Sequence, residues 1–299
     1  VGQLEDLIQQ IVSRVNRTVN LASPIADARL EDGSRVHVVL APVALNGPIL
    51  TIRKFPEPIT MERLIELKSI SREAAAFLQK AVEQGLNIFI SGGTGSGKTT
   101  ILNAMSGYIP QEERIITIED SAELQIRHVK NLVSLETRVE NRDGSQEISM
   151  RDLIRASLRM RPDRIIVGEV RGGEALEMLQ AMNTGHDGSL STGHANSAKD
   201  MLSRLETMVL MAAELPLAAV RSQIGSALDL MVHVGRMRDR SRKVLEITEV
   251  IGYENGEIRL SPIYQFQESG EADSGQVEGA LIQVGRFEGR RRFAGGSAF

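Results

Sequence analysis

The chain has 299 residues, a length that corresponds to about two domains, and 41% of them are hydrophobic, which excludes a disordered or collagen-like protein. It contains no Cys, so disulfide scaffolds and thiolate zinc sites are excluded as well. Its formal net charge of −4 and its aromatic content of 3% both disfavour a protein that binds nucleic acid over its whole surface.

The first segment, residues 1–52, has the pattern of a small α/β domain. Apolar residues recur at helical spacing from Leu4 onward, and strand-like runs follow at 25–30, 35–40 and 49–53. One helix and three strands make a thin core, so we expect this domain to continue upstream in the natural protein. Two prolines then favour an extended connection, which predicts an interdomain linker at 53–60.

Residues 61–266 alternate between helical and apolar segments, which is typical of a parallel sheet covered by helices on both faces. Strands of the buried type are predicted at 87–90, 114–118 and 164–167, and helices at 72–84, after Ser149 and after Ser197. From 230 to 266 the apolar period changes to two, which predicts an appended antiparallel meander. Residues 267–299 are rich in Gly and charge, which predicts a flexible tail.

The strongest motif is GGTGSGKT at residues 92–99, which fits the pattern G-x-x-x-x-G-K-[ST]. The glycines allow consecutive backbone N–H groups to surround phosphate oxygens, and the following helix adds its N-terminal dipole. Lys98 is expected to reach the β- and γ-phosphates of ATP, and the Thr99 hydroxyl to ligate Mg²⁺. The predicted nucleotide-binding residues of the loop are Gly93, Thr94, Gly95, Ser96, Gly97, Lys98, Thr99 and Thr100.

Two acidic residues follow predicted buried strands. Glu169 comes after the apolar run 164–167 and a glycine, where a carboxylate can hold Mg²⁺ or polarise the attacking water; the alternative is a solvated Glu at a strand end. Glu119 closes the run 114–118 and is a second candidate for water activation, since the carboxyl ends of parallel strands converge on the ligand crevice. An exposed acidic turn is the alternative for Glu119.

Two histidines flank a segment rich in Gly and Ser. His186 and His194 suggest a metal pair, but a site with only two ligands is weak evidence for a metal. A role in sensing phosphate explains them more simply, because Ser191 and Thr192 lie in a predicted central strand between them. Ordinary structural histidines are the remaining alternative.

These motifs, in this order, resemble the type II/type IV secretion ATPase superfamily. The resemblance rests on SGGTGSGKTT, ITIEDSAEL, MRPDRIIVGEVRGGEA and MNTGHDGSLSTGHANS, and it covers roughly residues 1–266. Further segments, among them DGSRVHVVLAP, GPILTIRKF and MLSRLETMVLMA, are most similar to the CpaF/TadA branch, which powers the assembly of Tad/Flp pili.

The resemblance implies a P-loop NTPase with a RecA-like core at 61–266, hinged to the small N-terminal domain. It implies a cytoplasmic homo-hexamer that binds ATP and Mg²⁺ between its two domains and the neighbouring subunit. Such a motor works through inner-membrane platform proteins of the pilus machine, so it is expected to be peripheral to that membrane. Whether it also retracts the pilus is left open.

The resemblance also assigns roles to individual residues. Glu169 matches the Walker B acid, which with Thr99 would hold Mg²⁺, and Glu119 matches the acid of the Asp box. His186 and His194 match the pair of the His box. Arginines that reach the nucleotide in this family are matched by Arg35 and Arg53 in the N-terminal domain and by Arg127 and Arg138 between the two acids. The chain departs from the branch at Gly193, where a β-branched residue is usual, which predicts a looser strand.

Two other functions remain open from the residues. A RecA-like motor that translocates nucleic acid is disfavoured by the charge and the few aromatics, so no nucleic-acid partner is expected. An ATP-binding module that does not hydrolyse ATP is disfavoured because both acids and Lys98 are present. An ABC transporter subunit is excluded because the sequence has no LSGGQ-like segment, and no apolar run is long enough to predict a transmembrane helix.

Overall fold

The computed structural model describes residues 2–14, 18–55, 57–138 and 146–289. The chain divides into two compact units, Val1–Glu57 and Pro58–Phe299. The division falls inside the segment 53–60, where the sequence predicts the linker. Each unit has its own buried apolar cluster.

In the first unit, one helix packs against a three-stranded antiparallel sheet. Ile8 and Val12 of the helix are buried together with Val36 and Val38 of the middle strand, because both elements have their apolar residues on one face. The elements are α1 (Gly2–Arg14), β1 (Ile25–Arg29), β2 (Arg35–Val39) and β3 (Ile49–Arg53), in the sheet order β1-β2-β3.

In the second unit, helices and strands alternate as the sequence predicts. Its helices are α2 (Met61–Glu66), α3 (Arg72–Glu83), α4 (Lys98–Ser106), α5 (Met150–Ser157), α6 (Glu174–Asn183), α7 (Ala198–Ala212) and α8 (Leu217–Ala227). Its strands are β4 (Ile88–Gly92), β5 (Arg114–Glu119), β6 (Asn131–Glu136), β7 (Arg164–Val167), β8 (Leu190–His194), β9 (Leu230–Arg236), β10 (Arg242–Glu254), β11 (Glu257–Glu271) and β12 (Val277–Gln283). Helices α3, α5 and α7 begin directly after Ser71, Ser149 and Ser197, whose side chains accept hydrogen bonds from the first turn.

The nine strands that the structure describes in this unit form one sheet in the order β12-β11-β10-β9-β4-β8-β7-β5-β6. Strands β9, β4, β8, β7, β5 and β6 are parallel, and β9 to β12 form the antiparallel meander. Alternate residues of the central strands enter two separate apolar clusters, one on each face. Ile88 and Ile90 of β4 belong to one cluster and Phe89 to the other, so the predicted burial on both faces is confirmed.

The parallel arrangement sets the position of the candidate site. Because β4, β5, β7 and β8 run in the same direction, their carboxyl ends lie along one edge of the sheet. Gly92 at the end of β4 is opposite His194 at the end of β8, and Ile118 of β5 is opposite Val167 of β7. The residues that follow these strands are therefore neighbours.

The predicted flexible tail at 267–299 is the main error in the sequence-based fold. β11 continues through Glu271, and β12 adds a further strand to the sheet. The segment is polar on average, but Val277 and Leu281 are buried at a spacing of four, and Phe287 packs against Phe77 in the core. These few apolar contacts fix a segment whose composition suggests mobility; residues 290–299 of the predicted tail lie outside the described residues.

Within the described ranges, none of the helices is both long enough and apolar enough to cross a membrane.

Candidate functional site

The loop between β4 and α4 carries the predicted phosphate-binding motif. The buried strand β4 ends at Gly92, and α4 begins at Lys98. Gly95 and Gly97 have φ angles of 71° and 98°, which residues with side chains rarely adopt. Gly97 is the N-cap of α4 and provides no side-chain acceptor, so the first N–H groups of this helix can serve an anion instead.

The backbone carbonyl of Gly93 accepts hydrogen bonds from two side chains of the loop and of the helix that follows it. This oxygen accepts hydrogen bonds from Ser96 Oγ at 2.8 Å and from Lys98 Nζ at 3.0 Å. Ser96 and Lys98 are buried, whereas Gly93, Thr94 and Gly95 are exposed. The loop thus presents a rigid base and an open rim.

His194 links Lys98 to Glu169. Its Nδ1 lies 3.2 Å from Lys98 Nζ, and its Nε2 lies 2.6 Å from Glu169 Oε1. Burial lowers the pKa of the His194 imidazole, and the charge of Lys98 adds to this effect. A neutral ring can accept a hydrogen bond from Lys98 at Nδ1, whereas the approach of Nε2 to Glu169 Oε1 does not have the geometry of a hydrogen bond.

Burial also lowers the pKa of the Lys98 ammonium group, although the neighbouring Glu169 carboxylate opposes this change. These contacts bring together Lys98, Glu169 and His194, three of the residues predicted for the site, at the carboxyl edge of the sheet.

Arg171 is a member of this cluster that the sequence reasoning missed. Its Nη2 and Nε lie 2.5 and 2.9 Å from Glu169 Oε2, and its Nη1 lies 3.2 Å from Asp120 Oδ2. Asp120 follows β5 and Glu169 follows β7, so the guanidinium bridges the ends of two adjacent strands. An Arg two residues after a predicted metal-binding acid was the available signal, but nothing in the sequence places Asp120 beside it.

Glu119, the second candidate for water activation, lies buried at the end of β5. Its Oε1 accepts hydrogen bonds from the backbone N–H groups of Glu123 at 2.8 Å and Leu124 at 3.1 Å. Burial raises the pKa of this carboxyl to about 7, although the two N–H donors oppose the change. A carboxyl with a pKa near neutrality is suited to accept a proton from water at physiological pH.

Gly168 explains why the strand-end position before Glu169 carries no side chain. A Cβ atom built at Gly168 would lie 2.8 Å from Glu119 Cγ, so a larger residue would displace the buried carboxylate. The two predicted acids thus lie at the ends of neighbouring strands, and the missing side chain at Gly168 leaves room for the side chain of Glu119.

His186 is separated from this cluster. Its ring Nδ1 lies 3.2 Å from the carbonyl oxygen of Ala181, before β8 begins, whereas His194 is the last residue of that strand. A five-residue strand spans roughly 13 Å, so the two histidines lie at opposite edges of the sheet. Because β8 runs across the sheet between them, the two rings are too far apart to ligate one metal ion within this chain, and a role for His186 in the nucleotide site stays a prediction. No cluster of three or more potential metal ligands occurs among the described residues.

The four predicted arginines lie in two places. In the first unit, Arg35 on β2 is directly opposite Arg53 on β3. In the second unit, the exposed Arg127 donates to Gln125 Oε1 at 2.6 Å. Arg138 is also exposed, and its Nε donates to the carbonyl oxygen of Gln146 at 3.1 Å. The hydrogen bonds of Arg127 and Arg138 described above do not lead to the cluster of Lys98.

A cavity of about 240 Å³ adjoins the phosphate-binding loop. Ser96, Gly97 and Thr100 form its wall on the loop side, and residues of α2 and of the β9–β10 hairpin form the rest. Six of its fourteen lining residues are apolar, and three are basic: the apolar ones are Ile59, Leu64, Leu67, Ile101, Val234 and Val244, and the basic ones are Arg240, Arg242 and Lys243. Such a pocket suits the flat, mostly apolar surface of a nucleobase beside a polyphosphate.

The polar groups of this site are of the kinds that bind ATP and Mg²⁺. The uncapped N-terminus of α4 and the ammonium of Lys98 supply groups for phosphate oxygens. Glu169 Oε1 is buried without a hydrogen-bond partner in the described structure, and Thr99 lies in the first turn of α4. Hydroxyl and carboxylate oxygens are ligands that Mg²⁺ prefers.

Comparisons with known proteins agree with this arrangement. The model of the family "Type II/IV secretion system protein" matches residues 1–267. An uncharacterized protein of Methanocaldococcus jannaschii is 49% identical over 198 residues, which are 64% of this chain and 27% of that protein, so this chain spans about a quarter of its length. A putative conjugal transfer protein of Mycobacterium tuberculosis is 36% identical over 282 residues, 92% of this chain and 79% of that protein.

Two solved structures share the fold. The VirB11 ATPase of the Brucella suis type IV secretion system, in complex with sulphate, is 29% identical with a TM-score of 0.54, and the match covers 83% of each chain. The pilus retraction motor PilT with bound ADP is 26% identical with a TM-score of 0.54, over 80% of this chain and 62% of that one. The α/β fold expected from the sequence is confirmed.

Proposed function

Because this chain belongs to the type II/IV secretion system protein family, we propose that it is an ATP-hydrolysing motor that powers the assembly of a Tad/Flp pilus. The observation that carries the proposal is the cluster of Lys98, His194 and Glu169 beside the phosphate-binding loop. A binding module that does not hydrolyse ATP has no need for a buried carboxyl of raised pKa next to this cluster, as Glu119 is.

The chemistry follows from what each side chain can do. The N–H groups of the loop and the first turn of α4 hold the phosphates, and Lys98 leaves Gly93 O to contact their oxygens. Bound Mg²⁺, held by Thr99 and Glu169, would neutralise charge on the phosphate oxygens. Glu119 accepts a proton from the attacking water, since its carboxyl, with a pKa of about 7, is deprotonated at higher pH. His194 holds the carboxylate of Glu169 and the ammonium of Lys98 in register.

The adjoining cavity completes the nucleotide site in this proposal. The phosphates occupy the loop, and the base and ribose extend from it into the pocket beside Gly97 and Thr100. Arg242 lies against the loop there, since a Cβ at Gly97 would be 3.5 Å from Arg242 Cδ. Its guanidinium can cover the face of a bound base.

The oligomeric state, the location and the roles of the arginines are proposed from the resemblance of the sequence to the CpaF/TadA branch. We propose that the protein works as a cytoplasmic homo-hexamer, peripheral to the inner membrane through platform proteins of the pilus machine. In this arrangement Arg35, Arg53, Arg127 and Arg138 supply positive charge to a nucleotide shared between subunits. Such charge is needed because a single Lys leaves part of the charge on the transferred phosphoryl group uncovered.

A conjugation or secretion motor is the second candidate, because relatives with that name align over most of this chain. They include the Mycobacterium tuberculosis protein above and conjugal transfer protein TrbB of Rhizobium radiobacter, which is 37% identical over 249 residues, 82% of this chain and 73% of that protein. The Tad/Flp assignment is preferred because segments along the whole chain resemble that branch.

Phosphate release from ATP tests the enzymatic part of the proposal. Lys98→Ala should lower turnover by about 10²-fold or more, the scale for losing one preorganised charge contact. Lys80→Ala, at an exposed position of α3, is the matched control and should retain activity. A Lys98→Ala protein as active as the control would exclude the assigned phosphate site.

A deletion strain of the source organism separates the two candidates. Complementation with the wild-type gene should restore surface pili, whereas complementation with Lys98→Ala should not. If pili are unchanged in the deletion strain but conjugative transfer or secretion is lost, the second candidate is correct.

A further inference from the structure

We propose that Arg171 is a positioning residue that holds Glu169 by one carboxylate oxygen, so that the other oxygen faces the Mg²⁺ of bound nucleotide. The inference rests on the proposed function, because it concerns the same nucleotide site. It adds a residue to which neither the sequence motifs nor the family resemblance gave a role.

The two oxygens of Glu169 have different surroundings. Oε2 accepts hydrogen bonds from both Nη2 and Nε of Arg171, at 2.5 and 2.9 Å. Oε1 lies 2.6 Å from His194 Nε2 in an arrangement that is not a hydrogen bond, and it is buried without a hydrogen-bond partner in the described structure. A buried carboxylate oxygen without a hydrogen bond is costly, which indicates that it is satisfied when the site is loaded.

Arg171 is itself fixed from two sides. Its Nη1 lies 3.2 Å from Asp120 Oδ2 at the end of the neighbouring strand. Its backbone N–H donates to Glu174 Oε1 at 2.6 Å, and the N–H of Gly172 donates to the same oxygen at 2.9 Å. Glu174 begins α6, so the turn that carries Arg171 is tied to a packed helix. The guanidinium thus has a defined position from which it can orient the carboxylate.

The exposure of Arg171 and its partners indicates that these contacts orient Glu169 rather than stabilise the fold. The Arg171 side chain is 62% exposed and that of Asp120 48% exposed, whereas the Glu169 side chain is only 18% exposed. Exposed ion pairs contribute little to the free energy of unfolding. The same contact still matters for a metal, since residues that orient a ligating carboxylate change metal affinity by about 10- to 100-fold when they are replaced.

The test measures ADP binding by calorimetry, once with Mg²⁺ and once with EDTA; the ratio of the two dissociation constants is the Mg²⁺ factor. Arg171→Gln should reduce this factor by about 10-fold or more while ADP binding in EDTA stays unchanged, because only the metal ligand loses its orientation. Arg171→Lys, which keeps one charged donor, should recover part of the factor. Unchanged binding in EDTA also shows that the variant is folded.

Two controls make the result specific. Arg221→Gln removes an arginine of a similar pair, with Glu206 at 2.9 Å on α7, and should leave the Mg²⁺ factor unchanged. In a Glu169→Gln background, Arg171→Gln should have no further effect, because its influence acts through that carboxylate. Additive losses in this double-mutant cycle would overturn the proposal.

The remaining outcomes are also decisive. A Mg²⁺ factor that is the same in Arg171→Gln and wild type shows that Arg171 does not act on the metal site. A factor that increases shows that Arg171 competes with the metal instead. If wild type binds no ADP, the proposed nucleotide site fails and this inference fails with it, whereas a failure of Arg171→Gln alone leaves the proposed function intact.

Discussion

Replacing the buried Glu119 with Gln should stabilise the protein at alkaline pH. Glu119 Oε1 accepts two backbone hydrogen bonds, from Glu123 and Leu124, and the carbonyl oxygen of Gln can accept both. The substitution therefore removes a buried negative charge and keeps the shape and the hydrogen bonds. If Glu119 is the general base, the same variant should bind ATP but lose hydrolysis.

The size of the stabilisation follows from the pKa. Burial raises the pKa of Glu119 from 4.5 to about 7, so the folded protein binds this proton more tightly than the unfolded chain does. Stability from this group is therefore fully present below pH 4.5, falls as pH rises, and reaches its lowest value above pH 7. At about 1.4 kcal/mol per pKa unit, ionised Glu119 costs the folded state about 3 kcal/mol at pH 8.

Urea unfolding followed by circular dichroism measures this effect. The free energy of unfolding of Glu119→Gln should exceed that of wild type by about 3 kcal/mol at pH 8 and by little at pH 5. Glu112→Gln, at an exposed position before β5, controls for the loss of one charge and should show no such dependence on pH. An equal difference at both pH values, or a less stable Gln variant at pH 8, would refute the reasoning.

Two further results are expected in activity assays. Turnover of wild type should rise with pH through about 7 and then level off, because Glu119 must lose its proton to act as the base; a rate that is flat from pH 6 to 8 would contradict this role. Specific activity should rise with protein concentration as hexamers form, and mixing Arg53→Ala with Lys98→Ala chains should restore part of the activity that each variant lacks, since their defects lie in different halves of a shared site. A monomer with a concentration-independent rate would exclude the shared site.

The motif and the strands that enter it were predictable because local chemistry specifies them. The apolar run before Gly92 has no polar alternation and is short, which favours a strand buried on both faces, and the glycines of the loop favour a turn after it. The same reasoning identified β5 and β7, and with them the positions of Glu119 and Glu169 at one edge of the sheet. Parallel strand direction then places both residues at one edge of the sheet, but it does not tell which strands are adjacent.

The partners of these residues were not predictable, because they depend on tertiary proximity. Arg171 and Asp120 are 51 residues apart in the chain and meet only because β5 and β7 are adjacent. His186 is the reverse case: it is close to His194 in sequence, but a strand carries the chain across the sheet between them. Spacing along the chain predicts contact on a helix or within a turn, and it fails across a strand.

Gly193 is the position where sequence and structure give opposite interpretations of one residue. The absence of a β-branched side chain predicts a looser strand, since Gly lowers strand propensity. In the structure Gly193 lies within β8, opposite Ser91 of β4, and a Cβ atom there would be 2.9 Å from Met201 and 3.0 Å from Phe89. Space that a side chain would fill is occupied by Met201 from α7, so the strand is packed rather than loosened. Because His194 is the next residue, this packing also fixes the imidazole that joins Lys98 to Glu169.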